Sequence, residues 1–297
     1  MRKIVLSVLL IGLMTHQVIS QSELSEKIAE QDPIPLKKVK LYGGLGYGTS
    51  LLILSQAWYA DTGFDRFKFF NDNAEWLQVD KVGHIYSTYH FSRINYDLLN
   101  RTELSNHKAL LWSSILSSAL FLPIEILDGL SPDYGFSYGD MIANAAGSGI
   151  FYFQQKSWGE QRIKLKYSFS TTEFADIRPN ILGKSLPEQM LKDYNGQTYW
   201  LSFDVYAFSE ESSWPKWLNL GLGYGAEGMV ISRNSENEMA GYKNYRQLYL
   251  GIDFDLSYIK TNNRFLKTVL FLADMIKLPA PAIELSQGKV KGHILHF

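Results

Sequence analysis

The 297-residue sequence contains no cysteine. That excludes disulfides, thiolate metal sites and cysteine nucleophiles, and it leaves no residue here to carry a lipid through an N-terminal cysteine. Charge of one sign is equally scarce. Lys and Arg number 29 against 30 Asp and Glu, the formal net charge is -1, and no long run of one sign occurs. Nucleic-acid binding demands a concentrated basic surface and is excluded on that ground. There is no HExxH zinc motif and no Glu-x-x-His pair of the di-iron bundle type.

Aromatic residues, by contrast, are abundant: 18 Tyr, 17 Phe and 7 Trp make up 14% of the chain. The N-terminus, MRKIVLSVLLIGLMTHQVISQ, has a basic start at Arg2 and Lys3 and an apolar stretch from Ile4 to Met14. Small or aliphatic residues follow at Val18 and Ser20. Residues 1–20 are therefore expected to be a secretory signal peptide cut after Ser20, because the apolar stretch is too short to span a bilayer. The mature protein is expected in the periplasm or outer membrane of a Gram-negative-type envelope.

Periodicity divides the rest. A polar leader covers 21–40, and a bundle of about four helices covers 41–160. Antiparallel β-strands fill 161–297, with one helix near 264–276. The expected class is α+β, the strands forming a small sheet or a partial barrel. The predicted helices are 41–60, about 76–99, 106–130 with a kink at Pro123, and 138–155. In the second half, WLNLGLGYG sets Leu218, Leu220, Leu222 and Tyr224 opposite Asn219, Gly221, Gly223 and Gly225. LYLGIDFDLSY sets Leu250, Ile252, Phe254 and Leu256 opposite Gly251, Asp253, Asp255 and Ser257. Each strand thus has one apolar face. A terminal aromatic, Phe297, fits an outer-membrane barrel, but counting back by twos gives Leu295, His293, Lys291 and Lys289, a poor lipid-facing row. The stretches 41–60 and 109–127 are long enough to span a bilayer.

Three helices each carry a polar line at helical spacing. The second has Asp80, His84 and Ser87. The third has Ser114, Ser118 and Glu125, with Asp128 one turn further. The fourth has Asp140, Asn144 and Gly147. If these lines face inward, they meet in a buried cluster of Asp80, His84, Glu125, Asp128 and Asp140, with Lys81 and Ser137 at its edge. Taken singly, each residue suits a solvated face or a cap, as Ser137 before Asp140 does. Taken together they suit either an ion-paired network that locks the helices or a reactive site. As chemistry, Asp80, His84, Glu125 and Asp140 could bind a divalent metal through oxygen and imidazole. Alternatively, His84 acts as general base, oriented by Asp80 and activating water or Ser137, and no G-x-S-x-G elbow is read in its support. The glycine runs GGLGYG (43–48) and GLGYG (221–225) lack the strand and acidic residue that a dinucleotide loop requires.

DKVGH (80–84), EILDG (125–129) and GFSYGDMIANAAG (135–147) resemble the signature of the YfiM-like family of periplasmic lipoproteins and, more distantly, VanZ-like membrane proteins. The resemblance covers about residues 76–155. The matching positions are Asp80, Lys81, His84, Glu125, Asp128, Ser137, Asp140, Asn144 and Gly147. It implies an envelope protein of unestablished biochemistry whose usual cysteine-borne lipid is missing, so that any tether comes from apolar helices or strands. The favoured reading is a non-catalytic, membrane-associated module that binds envelope lipid, glycan or a partner protein. The alternative is an envelope hydrolase or metal-dependent enzyme using the same cluster.

Overall fold

The computed structural model describes residues 33–59, 63–132, 134–209 and 213–296. The expected signal peptide, the leader up to residue 32 and Phe297 lie outside them. Helices occupy most of the N-terminal part, and a six-stranded antiparallel sheet follows. The chain divides into two compact units. The first holds residues up to Asp72 with Ser87–Glu160 and Thr261–Val269, and the second holds Asn73–Tyr86, Gln161–Lys260 and Leu270–Phe297.

In the first unit, α1 (Leu36–Tyr59) begins inside the stretch assigned to the leader. The Glu103 carboxylate accepts the Leu36 N–H at 3.0 and 3.1 Å, so an anion sits on the exposed donors of the first turn. GGLGYG lies within this helix, with nothing within 4 Å of where a Cβ would stand at Gly43, Gly44 or Gly48, and forms no phosphate loop. Next comes α2 (Val79–Leu99), whose residues up to Tyr86 belong to the second unit and the rest to the first, and then α3 (Asn106–Ala119), α4 (Leu122–Leu130) and α5 (Tyr138–Trp158) of the first. The helix expected over 106–130 breaks at Leu120 and Phe121 rather than at Pro123. Pro123 lies in the first turn of α4, where its missing N–H costs no helical bond.

α3 turns serine inward. Ser113, Ser114 and Ser117 are buried, their hydroxyls donating to carbonyls of the preceding turn, while Leu111, Trp112, Ile115 and Leu116 are exposed. By length and composition alone, 106–130 is apolar enough to cross a membrane; the described helix over 36–59 fails the same test.

The second unit is built on one meander. Strands β3 (Ile163–Phe169), β4 (Gln197–Phe203), β5 (Leu218–Glu227), β6 (Tyr245–Phe254), β7 (Ala280–Ser286) and β8 (Lys289–His296) pair in sequence order. A two-residue parallel pair, β1 (Phe69–Phe70) with β2 (Phe136–Ser137), belongs to the first unit. The helix expected near 264–276 is α6 (Arg264–Ala273). It is not the sole helical interruption: short turns at Phe174–Ile177, Pro179–Leu182, Leu186–Lys192, Val205–Phe208 and Asn234–Met239 also occur. They are too short for periodicity to register.

The alternation read from the strands is present, and the face that turns inward is the polar one. Leu201, Leu222, Leu250 and Ile283 form one register row and are all exposed. The facing row is buried: Lys164, Lys166, Ser202, Asn219, Asp253 and Glu284. Lys166 Nζ lies 2.8 Å from Asp253 Oδ2 and 3.3 Å from Asp274 Oδ1, and it donates to the Phe254 carbonyl at 2.7 Å. Lys164 Nζ reaches Asp255 at 2.6 Å and Asp274 at 3.0 Å. β3 and β6 are three strands apart, about 14 Å in a flat sheet. The ion pairs therefore require a sheet curled around its polar face.

Glycine makes room inside. A Cβ at Gly223 would lie 2.9 Å from the buried Trp200 ring, so GLGYG is a packing device. The free edge of β3 is partly covered, since Tyr167 N–H donates to Met275 O and Lys277 N–H donates to Tyr167 O. A register shift between Ala280 and Ala282 pairs Ala282 with His293 and Ala280 with His296. Counting back from the C-terminus therefore picks the wrong row. Val290 and Gly292 share the outward face with Leu285 and Ile283, and His293 falls on the inward one.

The ion cluster sets a direct test. Lys166→Ala takes the paired lysine from the buried Asp253 and leaves Asp274 with Lys164 alone, and it is expected to cost about 3–5 kcal/mol in denaturant melts. A loss below about 1 kcal/mol would contradict a buried, fully paired lysine.

Candidate functional site

The site begins with an unusual approach. Trp76, Leu77 and Gln78 all have positive φ (48°, 48° and 65°), a left-handed turn made without glycine. Each such residue costs roughly 1–2 kcal/mol, so the turn persists only where its surroundings fix it. Trp76 N–H donates to Ser232 O at 2.9 Å, Gln78 Nε2 donates to Asn73 O at 2.8 Å, and Tyr224 OH donates to Leu77 O. Leu77 and Val79 are buried with Ala226 and Met229. The helix expected from Trp76 thus starts at Val79, and the turn aims its first residues.

Asp80, Lys81 and His84 occupy the first two turns of α2. Asp80 Oδ1 accepts from Tyr194 OH at 2.7 Å, and Oδ2 accepts from Lys81 Nζ at 3.0 Å. His84 Nε2 lies 3.9 Å from Asp80 Oδ1. Gly83 is required here, because a Cβ would fall 2.8 Å from Tyr199 OH. Tyr199 in turn packs against Tyr86 and Tyr167 at ring distances of 5.6 and 5.4 Å. Burial pushes the Asp80 carboxyl upward. The charges of His84 and Lys81 and the bonds from Tyr194 and Lys81 outweigh that push, and the carboxyl titrates below its ordinary value.

On α5, Asp140, Asn144, Gly147, Ser148 and Phe151 are all buried. Ser137 caps the helix, its Oγ accepting the Asp140 N–H at 3.0 Å and donating to Asp72 Oδ1 at 2.6 Å. Glu125 is 1% exposed, and its Oε2 accepts the Ser137 N–H at 3.4 Å. Ser118 Oγ donates to Asn144 O at 3.2 Å and pairs with Ser148 Oγ at 2.9 Å. Asp128 is half-buried.

Sequence reasoning missed two features. GFSYG (135–139) fits the G-x-S-x-G spacing of a nucleophile elbow, and Ser137 does stand between a strand and a helix. Its backbone is unstrained (φ -97°, ψ 118°), its side chain is buried, and its hydroxyl is committed to the cap, so the elbow's exposed nucleophile is not formed. The other is Tyr194, which bonds Asp80 from 114 residues away and carries no local signal.

Residues 68–156 match the model of a family described as predicted periplasmic lipoprotein (DUF2279). No curated protein and no solved structure matches the chain. The match takes in Asp80, His84, Glu125 and Asp140 and supports a relation to periplasmic envelope lipoproteins.

Tyr194→Phe tests the electrostatics. A carboxyl held below its unfolded pKa contributes stability that is present above about pH 4 and lost as pH falls through the folded value. Removing the Tyr194 bond raises the Asp80 pKa, lowers stability at pH 7 by about 1–2 kcal/mol and moves the acid-unfolding midpoint to higher pH. An unchanged midpoint would contradict the assignment.

Proposed function

We propose that the chain is an exported, membrane-associated binding module of the YfiM-like kind whose polar cluster takes up a divalent cation. The observation that carries this reading is a carboxylate and an imidazole one helical turn apart: His84 Nε2 lies 3.9 Å from Asp80 Oδ1, and Asp80 is held as an anion by Tyr194 and Lys81. A carboxylate and an imidazole suit zinc, manganese or a similar ion and leave positions open for water or an anionic group of a bound molecule. Tyr194 fixes the Asp80 carboxylate by accepting no competing role there: its hydroxyl donates at 2.7 Å, as an outer partner of a metal ligand does. Binding is favoured over hydrolysis because Ser137, the serine that a hydrolase reading would use, has its hydroxyl committed to a helix cap.

A second reading has its own support. Lys81 Nζ sits 3.0 Å from Asp80 Oδ2 and supplies a resident cation, as in an ion-paired lock.

Elemental analysis and zinc and manganese titrations of the purified protein separate the two. The binding reading expects about one ion per chain, with affinity falling at least about tenfold in His84→Ala and Asp80→Asn while circular dichroism is unchanged. Absence of a stoichiometric ion, with both variants merely melting at lower temperature, would establish the lock instead.

A further inference from the structure

We propose that the outward face of the six-stranded sheet is a membrane-docking surface that lies against the acyl chains of a bilayer. This inference stands apart from the cation site and rests on the second unit alone. Leu222, Leu250 and Ile283 are 48, 51 and 52% exposed, and each is the register neighbour of the next. Across the outward positions of β4 to β7 only Arg246 carries a charge. The lysines and aspartates are on the opposite, buried face and are paired there.

A sheet in water does the reverse, placing aliphatic side chains inside and charges outside. Burying ion pairs while exposing leucine is favourable when the outer medium is itself apolar, and the same alternation marks lipid-facing strands. The neutrality of the face selects the occupant. It offers almost no charged or amide groups to specify a protein partner, whose interface would need a polar rim; hydrocarbon needs none.

Its dimensions agree. Along β6, from the exposed Leu248–Leu285 pair to Phe254 is six residues, about 20 Å, enough to pass the headgroups and enter the hydrocarbon. At the Phe254 end of that band Trp217, which is exposed, stacks on Phe254 with ring centroids 6.0 Å apart. Such rings favour membrane interfaces. A surface of this kind would do for a cysteine-free chain what an attached lipid does for a lipoprotein.

The absence of cysteine makes the test clean. Leu222→Cys, Leu250→Cys, Ile283→Cys and, as control, Met239→Cys in the full chain are each labelled with an environment-sensitive fluorophore. They are mixed with vesicles of phosphatidylethanolamine and phosphatidylglycerol containing lipids spin-labelled in the acyl chain. Labels at 222, 250 and 283 are expected to be quenched, and the label at 239 is not. In a flotation assay, Leu250→Asp with Ile283→Asp lowers vesicle binding at least about tenfold, and Met239→Asp leaves it intact. Unquenched labels at all three positions would overturn the proposal. So would shielding of those labels without lipid as protein concentration rises, which would identify a second copy of the chain as the occupant. If the double aspartate variant does not fold, the quenching measurement alone decides.

Discussion

The structure depends on charges that are buried and paired. Lys166 is enclosed completely, and Asp253, Asp255 and Asp274 surround it and Lys164. Ions in such a setting are tolerable only when each has its partner. That requirement reaches far along the chain. It curls the sheet so that β3 and β6 side chains meet, draws the segment after α6 across the edge of β3, and leaves the aliphatic row facing outward. Trp200 and the glycines opposite it fill the remaining space.

The same preference for polar contents appears independently in the helical unit. α3 buries serines that bond back to their own helix and exposes leucine, isoleucine and tryptophan. α5 buries Asp140, Asn144 and Ser148 along one stripe and exposes Ile142 and Phe153. Small residues on that stripe permit close approach, and hydroxyls supply the bonds across it. Asp80 is held in the same manner, stabilised as an anion by a neighbouring cation and a tyrosine. The strained turn of Trp76 to Gln78, the one run of non-glycine left-handed residues among the described residues, is tied down by five groups from elsewhere in its unit or from its own flank. Strain stored beside a polar cluster is the usual accompaniment of a site whose geometry matters.

Much of this was legible in the sequence. The 3.6-residue spacing picked out Asp140, Asn144 and Gly147 as one line, and the period of two picked out all of the long strands. Periodicity, however, groups residues on a face without saying which side that face meets, so the direction of the sheet was open. A single extra residue near Ile294 then reversed the phase of the last strand. The left-handed turn escaped notice because Trp, Leu and Gln give no sign of positive φ. Tyr194 escaped because its contact with Asp80 is made by topology. Ser137 is a third case: its G-x-S-x-G spacing is present in the sequence and was passed over, and the backbone angles and the cap show that no elbow forms there.

A spin-label scan along β6, one cysteine at a time from Tyr245 to Phe254 in lipid-bound protein, measures the orientation of the sheet directly. Collision with oxygen is expected to alternate with a period of two, high at Leu248, Leu250 and Ile252 and low at Tyr249, Gly251 and Asp253. The opposite phase, or high accessibility of the second set to a water-soluble relaxant, would contradict a polar interior and an apolar exterior.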